Sequence, residues 1–172
     1  FLHTPTKKVL KEALDYVKSH EDDLKKTVEL IKTLELPNYE IETEYIASKK
    51  EDDYCLIGGK IASSKKPNKD LDPINYKDRL KEFCVQHSNS KHVHSDTDNP
   101  IQVGALARFN INHELLHPMA KSVAEDLGLK APNYNPYAIN LAQLVETVHV
   151  YEDAVISLEK LLDMDVKQED IT

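Results

Sequence analysis

The sequence predicts an α+β fold that is predominantly α: a helical bundle with a long C-terminal helix and a small β-hairpin or short sheet. Three observations carry this. Leu144, Val148, Tyr151, Val155, Leu158 and Leu162 follow one another at alternating steps of four and three, a heptad seam. Residues 1–37 hold two shorter apolar stripes at helical spacing. Between Ile41 and Ala47 the pattern switches towards the two-residue period of a strand.

Taken in order, Thr4-Pro5 reads as a helix start, with a capping hydroxyl and a proline at the first helical position. Val9, Leu10, Ala13, Leu14 and Val17 form its stripe. Leu24, Val28, Ile31 and Leu34 form a second, closed by Pro37, and the pair is expected to make an antiparallel hairpin. Ile41 to Ala47 is expected to be a half-buried strand. Cys55-Leu56-Ile57 and Lys60-Ile61-Ala62 flank a bend or bulge at Gly58-Gly59. Ile74 to Val85 reads as a short helix and Gln86 to Pro100 as a loop or hairpin tip. A helix is predicted from Pro118 to the left-handed cap at Gly128. Asn135-Pro136 opens the last, of about 28 residues or about 42 Å, ending near Asp163. The organisation expected is one domain over 1–172, a fragment of a longer chain. Its parts are a helical hairpin (1–37), strands, loops and a short helix (38–110), and helices (111–172).

Composition removes several function classes. With 22 basic and 30 acidic residues the formal charge is -8, and Arg79 and Arg108 are the sole arginines, which argues against nucleic acid. Four glycines, at 58, 59, 104 and 128, cannot assemble a P-loop or a G-x-G-x-x-G turn. No apolar run reaches the eighteen or so residues of a membrane span. The opening Phe1-Leu2-His3-Thr4 shows no signal pattern and suggests a processed or excised polypeptide. Cys55 and Cys84 cannot form a disulfide framework, and a reducing cytoplasm is expected, with both thiols inert.

His113-Glu114-Leu115-Leu116-His117 is a literal H-E-x-x-H, the pattern of a zinc peptidase, with Glu146 as a candidate third ligand. Pro118 opposes it, because proline disfavours helical backbone at His117 and clashes with the carbonyl of Glu114. A turn followed by a helix from Pro118 is the better reading. His87, His92, His94, Asp96 and Asp98 have metal-ligand residue types but read as a solvated loop. Asp22-Asp23, Asp52-Asp53 and Glu169-Asp170 read as exposed charge.

Val103-Gly104-Ala105-Leu106-Ala107-Arg108-Phe109-Asn110 resembles the V-G-x-L-A-R-x-N signature of the large subunit of cytoplasmic nickel-iron hydrogenases. The types concerned are the deazaflavin-reducing, NAD(P)-reducing and sulfhydrogenase enzymes. Tyr54 to Ser64 resembles the family's Y-P-x-I-G-G-R-I-A-S-S segment, and Tyr76 to Phe83 its following helix. Leu115, Pro118, Ala120 and the Gly128-Leu129 stop fit the helix after the signature. Asn135-Pro136-Tyr137, Glu146 and Tyr151-Glu152-Asp153-Ala154 resemble its last segment. The resemblance implies the central, metal-free portion of such a subunit (alpha subunit), because the family's two C-x-x-C pairs are absent.

The parent would oxidise or evolve hydrogen at a nickel-iron centre and pass electrons through a small iron-sulfur subunit. This chain would be a scaffold, inactive alone and without cofactor. It would have the rest of the large subunit and the small subunit as partners in the parent, and would form a homodimer when isolated. A metal-free helical interaction module derived from the family is the alternative. No catalytic residue is carried over. Gly104, Ala107, Arg108, Asn110, Asn135, Pro136, Glu146 and Glu152 are signature positions expected to be structural. Arg108 is expected to anchor to Glu146 or Glu152, or else to touch the metal-bearing portions. Gly104 is expected to take a special backbone angle, and Asn135 and Pro136 to cap and start the last helix.

Overall fold

The computed structural model describes residues 4–97 and 99–164. Phe1, Leu2, His3, Asp98, Glu169 and Asp170 lie outside the described residues. Helix α1 spans Lys7–Ser19 and α2 spans Glu21–Lys32. The α1 cap is Thr6, whose hydroxyl accepts from Val9 N at 3.3 Å, two residues later than the expected Thr4 start. His20 alone separates the two helices, too short a connection for an antiparallel return. In place of a packed hairpin, α1 lies mainly against α5 and meets α2 only weakly. Leu10 and Leu14 of α1 are buried, and Lys18 reaches Glu159 at 2.7 Å. Leu24 and Val28 of α2 face Met119 and Val123. Helix α2 ends at Lys32, well before Pro37, and Leu34 is exposed rather than part of the stripe.

Strand β1, Glu44–Lys49, pairs antiparallel with β2, Lys60–Ser63, and parallel with β5, Ile101–Gln102. The order is β2-β1-β5, so β1 is central. That position overturns the half-buried alternation: Thr43, Glu44, Tyr45, Ile46 and Ala47 are all buried, while Ile41 lies outside the strand and is exposed. A central strand covered on both faces has no solvent side for a polar residue. Glu44 is therefore enclosed. Its carboxylate accepts from Ser63 Oγ and Thr97 Oγ1, each at 2.6 Å. Burial pushes its pKa up, but the hydroxyls of Ser63, Ser95 and Thr97 outweigh that and hold it below the usual carboxylate range.

The expected helix at 74–85 does not form. Pro73–Asp78 is a 3-10 turn, capped by Asp72 accepting from Ile74 N at 3.0 Å. The chain then becomes β3, Leu80–Phe83, antiparallel to β4, His92–Ser95, with Phe83 opposite His92. A short helix has a costly nucleus, and ladder pairing across the hairpin satisfies the backbone groups of residues 80–83 instead. Arg79, 2% exposed, ties the hairpin to the loop that follows β2 by donating from Nη2 to Lys69 O at 2.6 Å.

Helix α3, Ala105–Asn112, follows Gly104, and a 3-10 turn at His113–Leu115 ends it. Helix α4 runs Pro118–Asp126. At its end Leu129 N donates to Ala124 O and Gly128 N to Glu125 O, both at 2.9 Å, with Gly128 at φ +66°. These are the paired bonds of a Schellman cap, as the glycine position predicts. Helix α5, Ile139–Asp163, has 25 residues and a length of about 38 Å. It follows a separate 3-10 turn at Pro136–Ala138, so Asn135, accepting from Tyr137 N at 3.0 Å, caps that turn and not the helix itself.

The α5 seam is buried unevenly. Leu144 and Val148 are enclosed, whereas Tyr151, Val155, Leu158 and Leu162 are half-buried and Leu161 is exposed. The first half of α5 meets both α3 and α4, while Lys18–Glu159 and Tyr151–Glu21 place the second half against α1 and the start of α2. Ala105, Ala107, Ala120 and Ala142, at most 2% exposed, let α3, α4 and α5 approach closely.

Candidate functional site

Around its middle α5 carries polar side chains at helical spacing, Glu146, His149, Glu152 and Asp153, that meet α3 and the start of α4. Glu146 comes first. Arg108, on the first turn of α3, donates from Nε to Glu146 Oε1 at 2.6 Å and from Nη2 to Oε2 at 2.7 Å. This is a parallel fork. Glu146 holds the guanidinium pKa above its ordinary range. Tyr54, 2% exposed and contributed by the loop after β1, donates to the same Oε1 at 2.9 Å. Burial, and secondly the Glu146 charge, push the phenol well above its usual pKa, so Tyr54 is a proton donor throughout the accessible range.

One turn on, His149 is 4% exposed and lies beneath Tyr54 at 4.9 Å between ring centroids. His117 stacks on it at 4.4 Å and donates its backbone N–H to His149 Nδ1 at 3.1 Å. The accepting nitrogen must be unprotonated, which assigns the proton to Nε2. Burial, then the neighbouring His117, depresses the His149 pKa. A folded-state pKa below the unfolded value means stability that is fully present above about pH 6.5 and lost as pH falls through the depressed pKa. The urea midpoint is expected to drop between pH 7.5 and pH 5.5 and to drop less in His149→Gln. Equal pH dependence in the two proteins would refute the assignment.

Glu152 accepts from Met119 N at 3.0 Å and Ala120 N at 2.9 Å, covering the free amides at the start of α4. Arg108 therefore meets Glu146, and Glu152 is committed elsewhere. Asn110 accepts from Asn133 N at 2.8 Å and donates to Asn133 O at 3.0 Å, a side chain imitating a strand pairing. Tyr45 Oη donates to that same carbonyl at 2.6 Å. Gly104 sits at φ +90°, where only glycine is unstrained, although a Cβ would stand 3.6 Å from Ile139 Cδ1. Ala107 is fully buried. Asn135 Nδ2 also reaches Pro37 O at 2.8 Å, and Pro136 begins the turn that Asn135 caps.

Segments far apart in sequence thus converge on one buried joint: Tyr54, Arg108 and Glu146. No family model matches the chain. Over 111 residues, 64% of its length, it is 36% identical to the alpha subunit of sulfhydrogenase 1 from Pyrococcus furiosus. It is similar to a hydrogenase alpha subunit. The matched region is 25% of that subunit, so the chain corresponds to about a quarter of its relative.

Within this hydrogenase-like chain the H-E-x-x-H residues do not share a helix. His113 is in the 3-10 turn with its ring 5.8 Å from Phe109, Leu116 is extended at ψ 147°, and His117 precedes Pro118 at ψ 158°. Glu114 is exposed, and the proposed third ligand, Glu146, is occupied by Arg108 and Tyr54. Among the described residues no three His, Cys, Asp or Glu side chains gather as a metal site, and no helix is long and apolar enough to cross a membrane. Sequence reasoning missed Tyr54 as a partner of Glu146, and missed His149. The spacing of 146, 149 and 152 on one helix was the available signal. The Glu44 cluster had none, because it depends on β1 being central.

Proposed function

We propose that this chain is a scaffold portion of the large subunit of a cytoplasmic nickel-iron hydrogenase. The parent enzyme oxidises or evolves hydrogen and exchanges electrons through an iron-sulfur small subunit. The sulfhydrogenase match carries the reading. It gains support from the way three of the resembling segments, at 54–64, 103–110 and 135–154, supply one residue each to the Tyr54–Arg108–Glu146 joint.

Nickel-iron chemistry requires thiolate ligands. Cys55 is fully buried, donates from Sγ to Gly58 O at 3.2 Å, and has its pKa raised by burial. Cys84 is exposed at the end of β3. These thiols do not fit such a centre, and no step of hydrogen turnover is assigned to residues of this chain. Their part is mechanical: the joint locks α3 against α5, and Glu152 fixes α4 on the same helix.

Sequencing the coding region on both sides tests the proposal. The expected result is a continuous reading frame with a C-x-x-C pair before and after this segment. A short frame without them, or stoichiometric nickel surviving a chelator wash of the purified chain, would sink it. Side chains that the rest of the subunit would cover include Tyr16, 68% exposed, Met164, 56% exposed, and the half-buried Leu158 and Leu162. The isolated chain is therefore expected to self-associate through the end of α5. Light scattering after size exclusion should show a dimer or larger species that Leu158→Glu disperses. A clean 19.6 kDa monomer at high concentration refutes the association.

A further inference from the structure

The β3–β4 hairpin lies outside the Tyr54–Arg108–Glu146 joint, and two of its histidines, His87 and His92, meet at its tip. Residues 84–91 connect the strands and fold His87 back over His92, bringing the ring centroids to 5.8 Å at an interplanar angle of 83°. The turn is braced locally: Ser88 N donates to Val85 O at 3.3 Å, Ser88 Oγ to Ser90 O at 3.2 Å, and Ser90 N to Ser88 Oγ at 3.1 Å. His92 is held by the β4 ladder and by the edge of Phe83, 5.7 Å between centroids. His94 lies at Phe83 as well, at 5.1 Å, and its Nδ1 is 2.8 Å from Ser95 O. The nearby Lys91 is neutralised by Glu82 at 2.8 Å.

We propose that His87 and His92 form a two-imidazole surface site for a borderline-soft divalent cation of the zinc, copper or nickel class. Imidazole nitrogen suits these ions, whereas calcium and magnesium require oxygen ligands. With a metal–nitrogen bond of about 2.0–2.1 Å, a ring centroid lies about 3.2 Å from the ion. Two such rings at a tetrahedral or wider angle have centroids about 5–6.4 Å apart. The observed separation falls inside that range. The braced turn and the strand reduce the ordering entropy of chelation. Among the described residues no third His, Cys, Asp or Glu completes the set, so water fills the remaining positions and the ion exchanges readily. Such a site captures a metal reversibly; it does not hold one as a structural element.

The inference stands independently of the hydrogenase reading. The test is calorimetric titration of Zn²⁺ into the full, untagged chain at pH 7.5, with histidine ring signals followed by NMR. One ion per chain is expected, with the His87 and His92 rings perturbed. His87→Ala and His92→Ala should each weaken binding by about tenfold or more, because the chelate is lost. His113→Ala should leave it unchanged. Circular dichroism of the variants establishes that they are folded, which their position on an exposed hairpin favours. Absence of saturable binding overturns the proposal, as does undiminished binding in both hairpin variants. Loss confined to Cys84→Ser also overturns it, since the thiol would then be the ligand.

Discussion

Replacing Glu146 by alanine is expected to destabilise the chain by about 3 kcal/mol, the low end of the range for breaking a buried ion pair. Two groups lose their acceptor at once. Tyr54, 2% exposed, loses the acceptor of its hydroxyl, and the Arg108 guanidinium loses both arms of its fork. The Arg108 side chain retains 28% exposure, so water recovers part of the loss, which is why the low end applies. Glu146→Gln preserves an acceptor and should cost roughly half as much, and Tyr54→Phe about 1 kcal/mol. Urea unfolding with an unchanged m-value is the measurement. A loss below about 1 kcal/mol in Glu146→Ala would show that the joint does not brace α3 against α5.

A pair of glycine substitutions should separate backbone strain from crowding. Gly59 and Gly128 both lie in the left-handed region, at φ +72° and +66°. A Cβ on Gly128 meets nothing within 4 Å, so Gly128→Ala should cost about 1 kcal/mol, the conformational penalty alone. A Cβ on Gly59 would stand 2.4 Å from Lys49 O and 2.9 Å from Cys55 Sγ. Lys49 belongs to β1 and pairs with Lys60, so its carbonyl cannot retreat without opening the β1–β2 ladder. Gly59→Ala should therefore cost about 3–5 kcal/mol, overpacking added to strain. Similar midpoints for the two variants in urea would contradict this.

The local signals were legible where they depend on a few neighbouring residues. The Gly128 stop, the Pro118 start and the long α5 were each readable because capping and periodicity are properties of short windows. Pro118 also sufficed to break the H-E-x-x-H. The errors share another cause. The 74–85 segment has helical spacing, yet it forms a turn and a strand because 92–95 supplies a pairing partner. Val9 and Leu34 belong to apolar stripes and are nevertheless exposed, since among the described residues no element covers them. Thr6 displaced Thr4 as cap within the tolerance of helix ends.

The sequence by itself determined the class of fold, the helix ends at 118 and 128, and the family resemblance, including the pairing options open to Arg108. Only the tertiary structure decided that Arg108 takes Glu146 while Glu152 covers the amides of α4. It alone made Glu44 an interior carboxylate and His149 a neutral acceptor. The reason is that burial and partner choice for a charged side chain are set by which elements converge on it in space. A carboxylate on α5 has the same local sequence signature whether a guanidinium, a helix terminus or water stands opposite.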